Sequence, residues 1–140
     1  MPEAELTWNG RMAFKGTAPS GVEIAFDTYP ESGGDLSAPS PLETFACSVA
    51  ACGGMDVVSI LRKMRQDVTD YSVHIEWERS PEGEWPRPIT KVVMTHRLKG
   101  NDLDPALVEK AVRLSNEKYC GVLSTIRSEP EVSSTFVIED

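Results

Sequence analysis

A chain of 140 residues with 40% hydrophobic content has the size of one ordinary domain, 1–140, around a single core. Its formal net charge of −8 argues against nucleic acid or an anionic membrane as partner, because both require a basic face. Three cysteines with no C-x-x-C spacing indicate neither a disulfide scaffold nor a typical zinc site, so no metal and no cofactor is expected.

The opening residues Met-Pro-Glu-Ala-Glu lack the basic and apolar regions of a secretory signal, which points to a cytoplasmic protein without structural disulfides. Three short strands follow at Glu5 to Trp8, Met12 to Lys15 and Val22 to Phe26. The turns at Asn9-Gly10 and Pro19-Ser20-Gly21 make them an antiparallel meander. A Gly/Ser/Pro stretch from Pro30 to Pro39 breaks the pattern before a strong helix start at Ser40-Pro41-Leu42-Glu43. There Ser40 suits the N-cap, Pro41 the first helical position, and Glu43 can return a hydrogen bond to the cap.

The helix is expected from Pro41 to about Arg65, polar only at its ends and at Asp56. Phe45, Val49, Cys52, Asp56 and Ser59 share one face. Cys47 stands about 140° round the wheel from Cys52, too far for a mutual disulfide, and reads as a packing residue. Gly53-Gly54 costs roughly 1 kcal/mol per glycine inside a helix, so the close approach of another backbone, such as the same helix of a second subunit, is expected. The apolar stretch is short for a membrane span and contains Gly, Gly and Asp, which makes it a core helix.

Tyr71 to Arg79 and Ile89 to Lys99 alternate apolar and polar residues and read as paired strands, with His74 and His96 as surface or paired histidines. Asp104-Pro105 starts a second helix ending near Lys118, and Cys120-Gly121 begins a short third one. Val132 to Glu139 alternates again and is expected to close the chain as a strand.

Two cysteines invite chemistry. Cys52 lies in an apolar helix and Cys120 follows Tyr119 at a helix start, where unpaired N–H groups and the positive dipole end stabilise a thiolate. Cys52 would need a cation, for which Arg11 in the turn Trp8-Asn9-Gly10-Arg11 is the candidate. Against this stand plainer readings: both thiols as small core hydrophobes, and Arg11 as a solvated turn residue. If the cation reaches the thiol, peroxide chemistry becomes accessible, with a sulfenic acid resolved by a second cysteine.

The run Ser40-Pro41-Leu42-Glu43 leading to Ala50-Ala51-Cys52, then Asp56 to Arg65, and later Tyr119-Cys120 before a short helix, resembles the OsmC/Ohr family over nearly the whole chain, with the nearest likeness to its OsmC-like branch. The resemblance implies an α+β OsmC-like fold, with antiparallel sheets around a long central helix in an intertwined homodimer. It implies Cys52 as peroxidatic and Cys120 as resolving cysteine of an organic hydroperoxide reductase, with a dithiol or lipoylated protein as reductant. Arg11 and Glu43 are the candidates for the family's catalytic Arg and Glu. Three departures stand out: Leu42 rather than Glu follows the helix-start proline, Asn9-Gly10 replaces a Gly-Gly turn, and Gly121 rather than Pro follows Cys120. Glu43 is thereby turned about 100° from the family position. The alternative is a non-enzymatic small-molecule-binding or stress-associated protein that keeps the pocket with little turnover.

Overall fold

The computed structural model describes residues 1–139. The chain forms two compact units, 1–47 and 48–140, with the division inside its long helix. In the first unit, strands β1 (Glu5–Trp8), β2 (Phe14–Thr17) and β3 (Glu23–Phe26) form the expected antiparallel meander in the order β1-β2-β3. β2 starts at Phe14 because the loop uses the two residues before it. The Asn9 amide donates to the Ala13 carbonyl at 2.8 Å and the Ala13 amide to the Gly10 carbonyl at 2.9 Å.

After β3 the chain wraps a single carboxylate. Asp27 Oδ1 accepts from the Thr28 amide at 2.7 Å, while Oδ2 accepts from the Ser37 amide at 3.0 Å and the Ser37 hydroxyl at 2.5 Å. Asp27 is buried, and these donors, the Ser37 hydroxyl above all, hold its pKa down at about 2. An ionised carboxylate thus ties the loop from Thr28 to Ser37 to the end of the sheet.

Helix α1 runs over Pro41–Lys63. Ser40 caps it, its hydroxyl accepting the Glu43 amide at 3.3 Å. The second half of the expected capping box is replaced: the Glu43 carboxylate instead accepts the Tyr29 hydroxyl. By length and hydropathy alone α1 could cross a membrane, but Gly53, Gly54, Val57 and Leu61 are buried within the protein.

In the second unit, β4 (Asp67–Arg79) and β5 (Ile89–Asn101) form a long antiparallel hairpin in which Val73 pairs with His96 and Ile75 with Met94. Both strands are longer than their alternation suggested. An irregularity between Val68 and Asp70 shifts the parity, so Val68 and Tyr71, three residues apart, both turn inward. Helix α2 (Pro105–Leu114) follows, capped by Asp104, whose Oδ1 accepts the Ala106 amide at 2.9 Å. A π turn (Ser115–Tyr119) then leads to helix α3 (Gly121–Ser128). Val57, Leu61 and Ala111 form the core, with Ile60, Met64, Val68, Tyr71, Leu98, Val108 and Val112 packed on it. This is the α+β arrangement of antiparallel sheets and one long helix that the sequence led us to expect.

Two expectations are corrected, and the glycine pair is seen to make a contact inside the chain. Val132 to Glu139 is not a strand: these residues have no ladder partner among the described residues, and Val132, Phe136, Val137 and Ile138 are exposed. An alternating pattern needs a neighbouring edge to become a strand. Cys47 is exposed rather than packed. The glycine pair serves a contact within the chain. A Cβ at Gly54 would meet Tyr71 Cε1 and Val73 Cγ2 at 3.4 Å, and one at Gly53 would meet Ser115 Oγ at 3.8 Å and His96 Cε1 at 3.9 Å. The two glycines let α1 lie close on β4 and β5.

The contacts at Gly53 are ordinary van der Waals distances, so a methyl group fits there. Gly53→Ala is expected to stabilise the protein by up to about 1 kcal/mol through helix propensity. Urea unfolding measures this, and a lowered midpoint would show that the space at Gly53 is needed.

Candidate active site

Cys52 and Asp56 are four residues apart on α1, which puts them one above the other on a single face. Asp56 is the only charged residue between Glu43 and Arg62. Cys120 comes to this face from the N-cap of α3. The two sulfurs and a carboxylate oxygen of Asp56 all lie within 4.8 Å of one another. Cys120 is buried, Cys52 and Asp56 are half-buried, and all three cysteines are free thiols.

Ser115 organises this cluster. Its carbonyl accepts the Cys120 amide at 2.9 Å, closing the π turn. Its hydroxyl donates to Asp56 Oδ2 at 3.0 Å, with the Gly53 carbonyl at 3.5 Å as a second acceptor. The residue is itself buried. One side chain therefore orients the carboxylate while its own backbone holds the thiol.

The helix-start amides of Leu123 and Val122 do pull the Cys120 pKa down, as the dipole argument anticipates. Burial outweighs them, and hydrogen bonding to Cys52 adds to it, so the Cys120 pKa is raised. Cys120 is thus a thiol, not a thiolate, near neutral pH.

Behind the cluster, His96 faces α1 from β5. Burial lowers its pKa, while burial pushes the Tyr71 hydroxyl up to about 12. The Tyr71 hydroxyl and His96 Nδ1 share a hydrogen bond of 2.5 Å. A cleft of about 440 Å³ opens beside Asp56, walled by Ile60, Met64, Leu114 and Tyr119, with Lys63 and Ser59 on its rim. Its apolar walls suit an organic group, and Asp56 connects it to the thiols.

The other two candidates belong to the first unit. Arg11 sits in the hairpin loop with φ of 50°, its carbonyl accepting the Trp8 indole N–H at 2.8 Å. Its guanidinium is exposed yet engaged: Nη1 donates to Asp35 Oδ1 at 2.8 Å and Nη2 to the Gly33 carbonyl at 3.0 Å. Glu43 holds the Tyr29 hydroxyl, and that bond raises the tyrosine pKa. Sequence reasoning placed Asp56 on the face of Cys52 without giving it a role, and passed over Ser115. A lone carboxylate one turn after a cysteine on an apolar helix was the available signal for the first. Nothing in the sequence marked the second.

A family model described as OsmC-like protein matches residues 33–135. Protein YhfA of Escherichia coli strain K12 is 36% identical over 136 residues, covering 97% of both chains. A hypothetical protein from Aquifex aeolicus has a solved structure that is 28% identical, covers 91% of this chain and 88% of its own, and superposes with a TM-score of 0.73. An organic hydroperoxide resistance protein OsmC from Legionella pneumophila shares the fold at 21% identity and a TM-score of 0.67, covering 91% and 89%.

Because the Cys52 and Cys120 sulfurs are near neighbours, one equivalent of oxidant is expected to join them, with Cys47 left free. From at most 4.8 Å apart, the sulfurs need to approach by no more than about 2.8 Å to reach an S–S bond of about 2.05 Å. Peptide mapping of the oxidised protein checks this, and a dominant Cys47 linkage would refute it.

Proposed function

The chain belongs to the OsmC-like family, and from that premise we propose that it is a cysteine-based reductase of organic hydroperoxides, acting in the cytoplasm where thiols stay reduced. The observation that carries this reading is the pair of free thiols, Cys52 and Cys120, drawn from two helices to within 4.8 Å of each other and of Asp56, which itself lines an apolar cleft.

In the proposed reaction the Cys52 thiolate attacks the O–O bond. An S–O bond forms as the O–O bond breaks, and the alkoxide takes up a proton and leaves as an alcohol. Cys120 then gives up its proton and its sulfur attacks the sulfenic sulfur: the S–S bond forms as the S–O bond breaks, and the departing hydroxide takes up a proton to leave as water. An external dithiol, free or on a lipoylated protein, restores both thiols by exchange. The raised pKa of Cys120 suits the second role, because a resolver that stays protonated does not compete for the first oxidation. Arg11 is the proposed thiolate-stabilising cation, and Glu43 the proposed counterpart of the family's glutamate. The second reading, a binding protein with little turnover, draws its support from Leu42 standing where the family's glutamate would and from Glu43 being held by Tyr29.

Peroxide consumption with a dithiol reductant tests the proposal. Cys52→Ser is expected to abolish it. Cys120→Ser is expected to retain one rapid reduction per site while turnover collapses. Arg11→Ala is expected to slow the first reduction without loss of fold. Wild-type turnover in Cys52→Ser, or no reduction by a fully reduced wild type, would leave the binding reading.

A homodimer is part of the same proposal. An open groove of about 560 Å³ runs beside α1, lined by Ala50, Ala51, Gly54, Met55, Val58 and Val73 among others, and Met55 is 72% exposed. Leu6 and Trp8 of β1, and Phe136 and Ile138 near the C-terminus, are also exposed. So much apolar surface is more than a monomer of this size ordinarily leaves to water. Sedimentation at micromolar concentration is expected to show dimer only, and a stable monomer would overturn this part.

A further inference from the structure

We infer that the reduced protein binds one zinc-class divalent cation per chain at Cys52 Sγ, Cys120 Sγ and the Asp56 carboxylate. The sequence spacing carried no metal signal, because Cys120 lies far along the chain from the other two donors. The fold supplies what the spacing lacks. A tetrahedral zinc site with S–Zn near 2.3 Å and O–Zn near 2.1 Å separates two sulfurs by about 3.8 Å and a sulfur from an oxygen by about 3.6 Å. The three donor atoms lie within 4.8 Å of one another, so the widest separation needs to close by only about 1 Å, within reach of side-chain rotation.

Two thiolates and a carboxylate form a donor set that favours zinc and its softer relatives over magnesium or calcium. The outer shell is also present. Ser115 Oγ donates to Asp56 Oδ2 at 3.0 Å, leaving the other carboxylate oxygen for the cation, which is how ligating carboxylates are held. Asp56 opens onto the 440 Å³ cleft, which gives the ion an entry path and a water its fourth coordination position. On binding, each thiol gives its proton to solvent, and the two thiolates and the carboxylate together bring the site to one net negative charge.

The cation and a Cys52–Cys120 disulfide draw on the same sulfurs, so each state excludes the other: oxidation ejects the metal, and the metal masks the nucleophile. The inference is read from the bound ion itself and stands whether or not the protein turns over a hydroperoxide.

The test is an anaerobic titration of the reduced, chelator-treated full chain with Co²⁺ as the spectroscopic probe, followed by Zn²⁺. One equivalent of Co²⁺ is expected to give tetrahedral visible bands and an intense sulfur-to-cobalt charge-transfer band, both removed by one equivalent of Zn²⁺. Cys52→Ser and Cys120→Ser should each lose at least half the charge-transfer intensity together with the tight binding. Asp56→Asn should weaken binding by roughly tenfold or more while keeping the charge transfer at excess metal. Cys47→Ser should match wild type. In the unmodified protein, Zn²⁺ should protect the half-buried Cys52 from alkylation and leave the exposed Cys47 reactive, a readout that does not depend on any variant folding. An octahedral spectrum without charge transfer, unchanged affinity in Asp56→Asn, or alkylation of Cys52 at the metal-free rate would overturn the inference.

Discussion

The geometry of the thiol pair depends on Ser115. Its carbonyl accepts the Cys120 amide and its hydroxyl donates to the Asp56 carboxylate, so one buried residue couples the start of α3 to the middle of α1. Without the hydroxyl, Asp56 would lose a charge-assisted hydrogen bond in a half-buried place, a loss of about 1.5–3 kcal/mol for bonds of this kind. The backbone bond works with two others at the same junction, the Ser124 amide on the Cys120 carbonyl at 3.0 Å and Arg127 Nη1 on the Asn116 carbonyl at 2.7 Å, to fix where the π turn delivers Cys120. Gly53 completes the arrangement, since any side chain larger than a methyl group there would press on Ser115 and His96.

Two carboxylates show how differently one charge can be used. Asp27 is surrounded by donors and is held ionised far into the acid range, so its work is to shape a loop. Asp56 has Ser115 as its hydroxyl donor and keeps an oxygen near two sulfurs and a cleft. The first is saturated and structural. The second has capacity left for chemistry.

Local signals in the sequence were read well. The Asn9-Gly10 and Pro19 to Gly21 turns located the meander, Ser40-Pro41 and Asp104-Pro105 located two helix starts to the residue, and period-two alternation located β4 and β5. The pairing of Cys52 with Cys120 came from the family resemblance, since no local rule joins residues so far apart. The features that went unread depended on neighbours in space. Alternation at Val132 to Glu139 could not reveal the absence of a partner edge, the glycine pair could not say which surface it was clearing space for, and Glu43 could not announce Tyr29 as its partner in place of its own cap. Ser115 escaped because a serine at a helix end has many ordinary uses, and only the π turn gives it this one.

That turn has a consequence for how the segment tolerates change. Tyr119, though exposed, walls the cleft, while Asn116, Glu117 and Lys118 are exposed and their side chains are free to vary. Their number is not. Each residue added or removed would rotate the downstream chain by about 100°, swinging Cys120 off the face shared by Cys52 and Asp56. Among relatives that keep this site, the stretch between the serine and the cysteine should therefore drift in composition while never gaining or losing a residue.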